Sequence, residues 1–178
     1  MPRQRHDPSK NLVGFLVGDV SYAVRIEAVR EIVNPLEIVE LPRAPKAVLG
    51  VADYRGVVVP VVDLRVRFGL PPAAESRRIK WIVLEVSGKE QSGAAAVPSS
   101  TGRYAALVVD SVTDVFGTGG ADIRPAPPLG SGDDLRGIEG VANHGDRLVF
   151  VLDARAFAAL ADAALSGEMP AASLGGTP

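Results

Sequence analysis

The chain contains no cysteine, two histidines and few aromatic residues, which make up 5% of its 178 positions. The missing thiols exclude a disulfide framework and any thiolate-bound metal. The histidines are His6, in a polar N-terminal stretch, and His144, in Asn143-His144-Gly145-Asp146, where ordinary turn chemistry leaves an imidazole solvated. Net charge is scarce as well. A formal balance of -2 gives no electrostatic reason for nucleic acid or an anionic membrane as the main partner. A small nucleic-acid-binding barrel would need a basic stripe interleaved with exposed aromatics, and one tryptophan, three tyrosines and five phenylalanines supply little of that. Long apolar runs are absent too, none approaching the ~20 residues of a spanning helix. The polar start from Met1 to Lys10 does not read as a signal peptide, so the expected address is cytoplasmic, without direct membrane insertion.

The usual catalytic spacings are also missing. There is no Gly-x-x-x-x-Gly-Lys-Ser/Thr loop, no His-Glu-x-x-His pair and no Gly-x-Ser-x-Gly elbow, which removes the standard arrangements for phosphate cradling, zinc hydrolysis and serine chemistry. Asp110 and Asp114 lie four apart and would share a face of a helix as paired carboxylates, but they read better as caps and solvated loop residues. Asp133-Asp134, beside Gly130 and Gly132, lacks the periodic oxygen ligands and terminal glutamate of a calcium loop. The expectation is a protein with no catalytic residues, no metal and no cofactor, and not an enzyme.

What the chain has in quantity is aliphatic side chains in short runs. Hydrophobic residues make up 47%, enough to bury a real core in one domain or in two small units sharing a seam. Turn residues recur between the runs, the pattern of small β-barrels or a sandwich rather than of βαβ units. Predicted strands are Leu12 to Val17, Ser21 to Val24, Val48 to Tyr54, Val57 to Leu64, Ile79 to Val86, Tyr104 to Val109, Ile138 to Ala142 and Leu148 to Leu152. Apolar residues at 26, 29, 32 and 33 predict a short helix over Ile26 to Val33, ended by Asn34-Pro35. Alanine-rich Ala154 to Leu165 predicts a helix stopped by Gly167, and Gly88 to Gly102 predicts a long hairpin loop. This divides the chain into a flexible arm (1-10), a main domain (11-165) and a flexible tail (166-178).

The most informative run is Arg55-Gly56-Val57-Val58-Val59-Pro60-Val61-Val62-Asp63-Leu64. Its valines suit a strand buried on both faces. Pro60 cannot donate to a ladder and belongs at a bulge, bend or edge. Gly56 permits a sharp turn, which leaves Arg55 at the strand entrance as a candidate contact residue, though by residue type alone a solvated rim arginine is the better reading. The run resembles the hallmark Asn-x-Arg-Gly-x-x-x-Pro-x-x-Asp-Leu of the CheW family of bacterial chemotaxis coupling proteins, with Asp53 where the family usually has Asn. Tyr22 to Ile32, Val108 to Val115, Ile123 to Pro127 and Gly137 to Asp153 follow in the family's order, so the resemblance covers roughly Leu12 to Leu160.

The resemblance implies an all-β, CheW-like fold of two intertwined five-stranded SH3-like barrels with short helices. The N-terminal strands, the helix and the Arg55 run would build largely one barrel, and Ile79 to about Val141 the other. The strand at Leu148 would return to close the first, so that no single cut separates them. It further implies an adaptor that couples the cytoplasmic tip of a chemoreceptor to the regulatory domain of a CheA-type histidine kinase, recruited to receptor arrays. Matching positions assign Val29, Arg55, Val112 and Val115 to the receptor, and Ile26, Glu31, Arg124 and Leu129 to the kinase. Pro128-Leu129 departs from the usual acidic-aromatic pair at the second kinase contact. Other uses of the domain are a coupler for a gliding, pilus or other chemosensory output, or a decoy that meets one partner.

Overall fold

The computed structural model describes residues 10–86, 103–118, 123–126 and 137–166. Among them are ten strands: β1 (Asn11–Val17), β2 (Val20–Arg25), β3 (Val29–Val33), β4 (Val48–Tyr54), β5 (Val57–Asp63), β6 (Lys80–Glu85), β7 (Tyr104–Val109), β8 (Ser111–Gly117), β9 (Ile138–His144) and β10 (Arg147–Leu152). A short helix α1 (Leu64–Arg67) follows β5, and α2 (Ala158–Ser166) follows β10 through a 3-10 turn at Ala154–Phe157. The strands form two five-stranded sheets, ordered β8-β1-β2-β10-β9 and β3-β6-β7-β5-β4. The fold is all-β, as the runs of aliphatic residues predict.

Period-two alternation sorts side chains between three apolar clusters. On β6, Trp81 and Val83 point into the interior of their own sheet with Tyr54, Val59 and Val61, while Ile82 and Leu84 point into a core shared by both sheets. On β2 the same division sends Ala23 inward with Leu12, Phe116 and Val149, and Val24 to the shared core. Strands covered on both faces must be apolar on both, hence the near-continuous valine of β5. Each fully buried side chain of this kind contributes about 1.5–3 kcal/mol. Pro60 is buried in β5 opposite Val51, but the parallel pairing of β5 with β7 begins only at Val61. Its missing N–H therefore falls where β5 has a ladder on one side.

Three expectations are corrected. The helix predicted over Ile26 to Val33 is a single 3-10 turn (Ile26–Ala28) followed by β3, which pairs antiparallel with β6. Ile26, Val29, Ile32 and Val33 are β-branched, and cross-strand packing outweighs a short helical spacing. Ser111 to Gly117 is a strand rather than loop, so Asp110 and Asp114 share no helical face. The Arg55 hairpin β4-β5 joins β3, β6 and β7, not the N-terminal strands, and β8 and β9 leave the middle segment to join β1 and β2. The return of β10 is as expected: it runs parallel beside β2.

The two sheets are exchanged copies of one plan. Replacing β1 to β5 by β6 to β10, and the reverse, converts one strand order into the other. The sequence carries the trace. Gly50-Val51-Ala52 returns as Gly140-Val141-Ala142, Val59 and Val61 as Val149 and Val151, and Asp63 and Arg65 as Asp153 and Arg155, all at one offset. Upstream, Val29-Arg30-Glu31-Ile32 corresponds to Val112-Thr113-Asp114-Val115. Both repeated glycines are dictated by close approach: a Cβ on Gly50 would strike the carbonyl of Val39, and one on Gly140 that of Arg124. Each glycine thereby admits an isolated bridge beside its strand, Val39 to Val51 and Arg124 to Val141. Each sheet takes two strands from one repeat and three from the other. The predicted loop from Gly88 to Gly102 lies outside the described residues, but the strands flanking it, β6 and β7, are paired as a hairpin requires.

Candidate functional site

The turn between β4 and β5 is two residues long, and both have positive φ, 51° at Arg55 and 81° at Gly56. That is the backbone of a primed hairpin turn, matched to the twist of the strands. Glycine adopts it freely, while Arg55 is held in a conformation that L-residues avoid. The turn is stapled from below. Asp53 Oδ1 accepts the Gly56 N–H at 2.7 Å, a bond that an asparagine oxygen would make equally, so the Asp53 departure keeps the local geometry.

Arg55 projects from this tip with 73% of its side chain exposed. Its guanidinium donates to Glu31 Oε1 at 2.9 Å, and the Tyr54 hydroxyl donates to Glu31 Oε2 at 2.6 Å. The guanidinium also stands 5.8 Å from the centre of the Tyr54 ring, and Tyr104 meets that ring edge-on. Arg30, Val57 and Tyr104 complete a shallow cleft around the three. The Tyr54 hydroxyl, followed by Arg55, holds the Glu31 carboxyl below the usual carboxylate range, and the bond to Glu31 pushes the Tyr54 phenol up. Both shifts lead away from neutrality, so neither group is poised to move protons near pH 7. The cluster suits recognition: a fixed cation beside apolar and aromatic surface.

Arg55 and Glu31, which the family resemblance assigns to different partners, thus form one cluster. Val29 and Val112 occupy corresponding places in the two sheets, each half-buried against the shared core. Val115 is 52% exposed on the edge strand β8. Ile26 is half-buried in the 3-10 turn, against the same core. Arg124 is exposed on the segment bridged to β9, with its guanidinium donating to Asn143 Oδ1 at 3.1 Å. Leu129 lies outside the described residues.

The second sheet has a counterpart to the Glu31 cluster. His144, which corresponds to Tyr54, places Nε2 2.7 Å from Oδ2 of Asp114, which corresponds to Glu31. The imidazole stacks on Phe116 with ring centres 4.0 Å apart. His144 therefore has a carboxylate partner and is not simply a solvated turn residue. The Thr113 hydroxyl, with His144, keeps Asp114 below the usual range. Sequence reasoning passed over Tyr54, Tyr104 and Asp114 as site residues; the internal repeat was the available signal. No group of histidine and acidic residues among the described residues has a metal-binding arrangement, and no helix there is long and apolar enough to cross a membrane.

Comparison with known proteins places this geometry in context. A family model described as a CheW-like domain matches residues 11–161. The chain is 32% identical to the chemotaxis protein CheW of Rhizobium meliloti over 81% of this chain and 84% of that one. It is 30% identical to CheW of Helicobacter pylori, over 79% and 76% respectively, and 32% identical to protein FrzA of Myxococcus xanthus, over 69% and 68%. Among solved structures it is similar to the scaffolding protein TtCheW of Thermoanaerobacter tengcongensis, with a TM-score of 0.66, 28% identity, and coverage of 82% of this chain and 89% of that one.

Proposed function

The chain belongs to the CheW-like domain family, and on that footing we propose that it is a chemotaxis adaptor, a non-enzymatic scaffold that couples a chemoreceptor's cytoplasmic tip to a CheA-type histidine kinase. The observation that carries the reading is the exposed Arg55 tip held by Glu31 and Tyr54, within a family match that spans nearly all of the described fold. A helical receptor tip would lay apolar side chains at i, i+3, i+4 and i+7 against the seam bordered by Val29 and Val112, with Val115 at its edge and Arg55 orienting it. Ile26, Glu31, Arg124 on the segment bridged to β9, and Leu129 would meet the kinase. Coupling then follows from differential affinity: an adaptor that binds the kinase-on and kinase-off arrangements unequally transmits that difference. The working place is the cytoplasmic side of a receptor array.

The similarity to FrzA, a relative whose name is not that of a chemotaxis protein, favours keeping a second reading, the same coupling in the service of a gliding, pilus or other chemosensory output.

The test combines the purified chain with a receptor cytoplasmic fragment and a CheA-type kinase from the same cell, and follows autophosphorylation. Activation should require the chain. Arg55→Ala should abolish activation while moving the melting temperature by no more than about 3 °C, because an exposed ion pair contributes little to stability. Activation unaffected by omission of the chain would end the coupling reading. A large drop in melting temperature for the variant would make Arg55 structural instead.

A further inference from the structure

Two carboxylates stand where the chain crosses between sheets: Glu27 between β2 and β3, and Asp110 between β7 and β8. They correspond under the internal repeat, and so do Arg65 and Arg155, which follow Asp63 and Asp153, the residues whose carboxylates cap α1 and the 3-10 turn. Their surroundings differ. Arg65 grips Asp110 in a two-pronged pair, Nε to Oδ1 and NH2 to Oδ2, both at 2.7 Å, with its remaining amino group donating to the Pro71 carbonyl at 3.1 Å. The same carboxylate accepts the backbone N–H of Gly18, in the β1-β2 turn, at 2.6 Å, and the Asp110 N–H donates to the Leu16 carbonyl at 3.0 Å. Arg65 and Asp110 are each 22% exposed. One carboxylate thus ties α1 and β5 of one sheet to the β1-β2 turn of the other. At the other crossover no such tie is made by Arg155, which instead binds its own cap, Asp153. Arg25, which shares that cleft with Glu27, binds Glu139.

We propose that Asp110 and Arg65 are positioning residues: their clamp on the Gly18 turn fixes how the two sheets are set against each other, and thereby aims β8, with Val112 and Val115, at the receptor seam. The Glu27 crossover has no such role. A bidentate, partly buried guanidinium–carboxylate pair with an added backbone donor is directional in a way that an exposed single-point pair is not. It also joins segments distant in sequence at the point where the chain changes sheets. Apolar packing in the shared core is less directional and leaves small rotations to be decided by such ties. The consequence for β8 rests on the coupling reading, whereas the clamp does not.

The experiment exploits the absence of cysteine. Val58→Cys and Leu148→Cys place one nitroxide on an exposed position of each sheet, and pulsed electron paramagnetic resonance reads the distance between them. The unmodified clamp should give one narrow distribution. Asp110→Asn should broaden or split it and weaken binding of a receptor cytoplasmic fragment by about five-fold or more, with kinase-domain binding retained. Glu27→Gln should leave the distance and both affinities unchanged. Arg65→Gln removes the guanidinium but keeps the Asp110 to Gly18 bond, and should give the intermediate result even if Asp110→Asn fails to fold. Unchanged distances in folded Arg65→Gln, or an equal change in Glu27→Gln, would overturn the clamp. If the unmodified protein binds no receptor fragment while the distances respond as expected, the coupling reading fails and the clamp stands.

Discussion

Glu31 shows how much one residue can carry without being buried. Its two oxygens are divided between a phenol on the same sheet and a guanidinium on a strained turn, so it sets the orientation of both. Because its pKa is lowered by these donors, its contribution to stability is complete at neutral pH and is lost as the pH falls below the ordinary glutamate range through the lowered value. Tyr54 is shifted the other way, so its contribution is present below the ordinary tyrosine value and is lost as the pH rises through the raised one. In Glu31→Gln, which removes the charge but keeps an acceptor, Tyr54 should therefore titrate at lower pH than in the unmodified protein. Carbon-13 spectra of labelled tyrosine would follow it, and an unmoved Tyr54 titration would mean that the short hydrogen bond does not persist in solution. Arg55 was legible as an exposed residue because an Arg-Gly pair before a valine run marks a turn, but its contact role came only from the family resemblance. Its partners were not, since Glu31 and Arg55 are brought together only by the pairing of β3, β6, β7, β5 and β4.

At the scale of elements, the misread segment is the instructive one. A spacing of 26, 29, 32 and 33 fits one helical face, yet it also fits a 3-10 turn followed by a strand in which Val29 packs on the shared core, Val33 packs within its own sheet and Ile32 is exposed. The choice is made by β6, which offers an unpaired edge and the partners Leu84, Val83, Ile82 and Trp81. The strands at Val48 to Tyr54 and Tyr104 to Val109 needed no such arbitration, being dominated by aliphatic and aromatic residues. The segments at Val39 and Arg124 depend on a glycine in the neighbouring strand rather than on their own residues. Gly140→Ala should push the Arg124 segment off β9 and cost about 1–3 kcal/mol, the usual range for overpacking at a filled contact. Urea unfolding would measure it, and amide exchange at Arg124 and Val141 would locate it. A neutral Gly140→Ala with both amides still protected would mean that the segment tolerates displacement and that the glycine is not required.

For the whole molecule, exchange between repeats has a sharp consequence. The segment between α1 and β6 divides the repeats, but every sheet draws strands from both sides of it. Fragments 1–73 and 74–178 should each be unfolded alone, since each would hold only two strands of one sheet and three of the other, parted from the strands that complete both sheets. Mixed, they should recover the β-sheet circular dichroism and the buried environment of Trp81, with a midpoint that depends on concentration. A fragment that folds cooperatively on its own would contradict the shared architecture. The same exchange explains why the sheets share a core, with Phe15 and Val24 of one packed among Ile82, Leu84 and Leu107 of the other.

The sequence by itself determined most of the strand content, the family and the Arg55 turn, because these rest on local alternation, turn chemistry and motif order, all of which are written in neighbouring residues; the return of the last strand followed from the family's fold. Tertiary structure alone decided which sheet received the Arg55 hairpin, that Ile26 to Val33 ends in a strand, that His144 meets Asp114, and that Asp110 ties the two sheets through Arg65 and Gly18. Each of those depends on which edge pairs with which. Edge pairing is decided by burial and hydrogen bonding between segments tens of residues apart, where one-dimensional spacing carries no information on the winner.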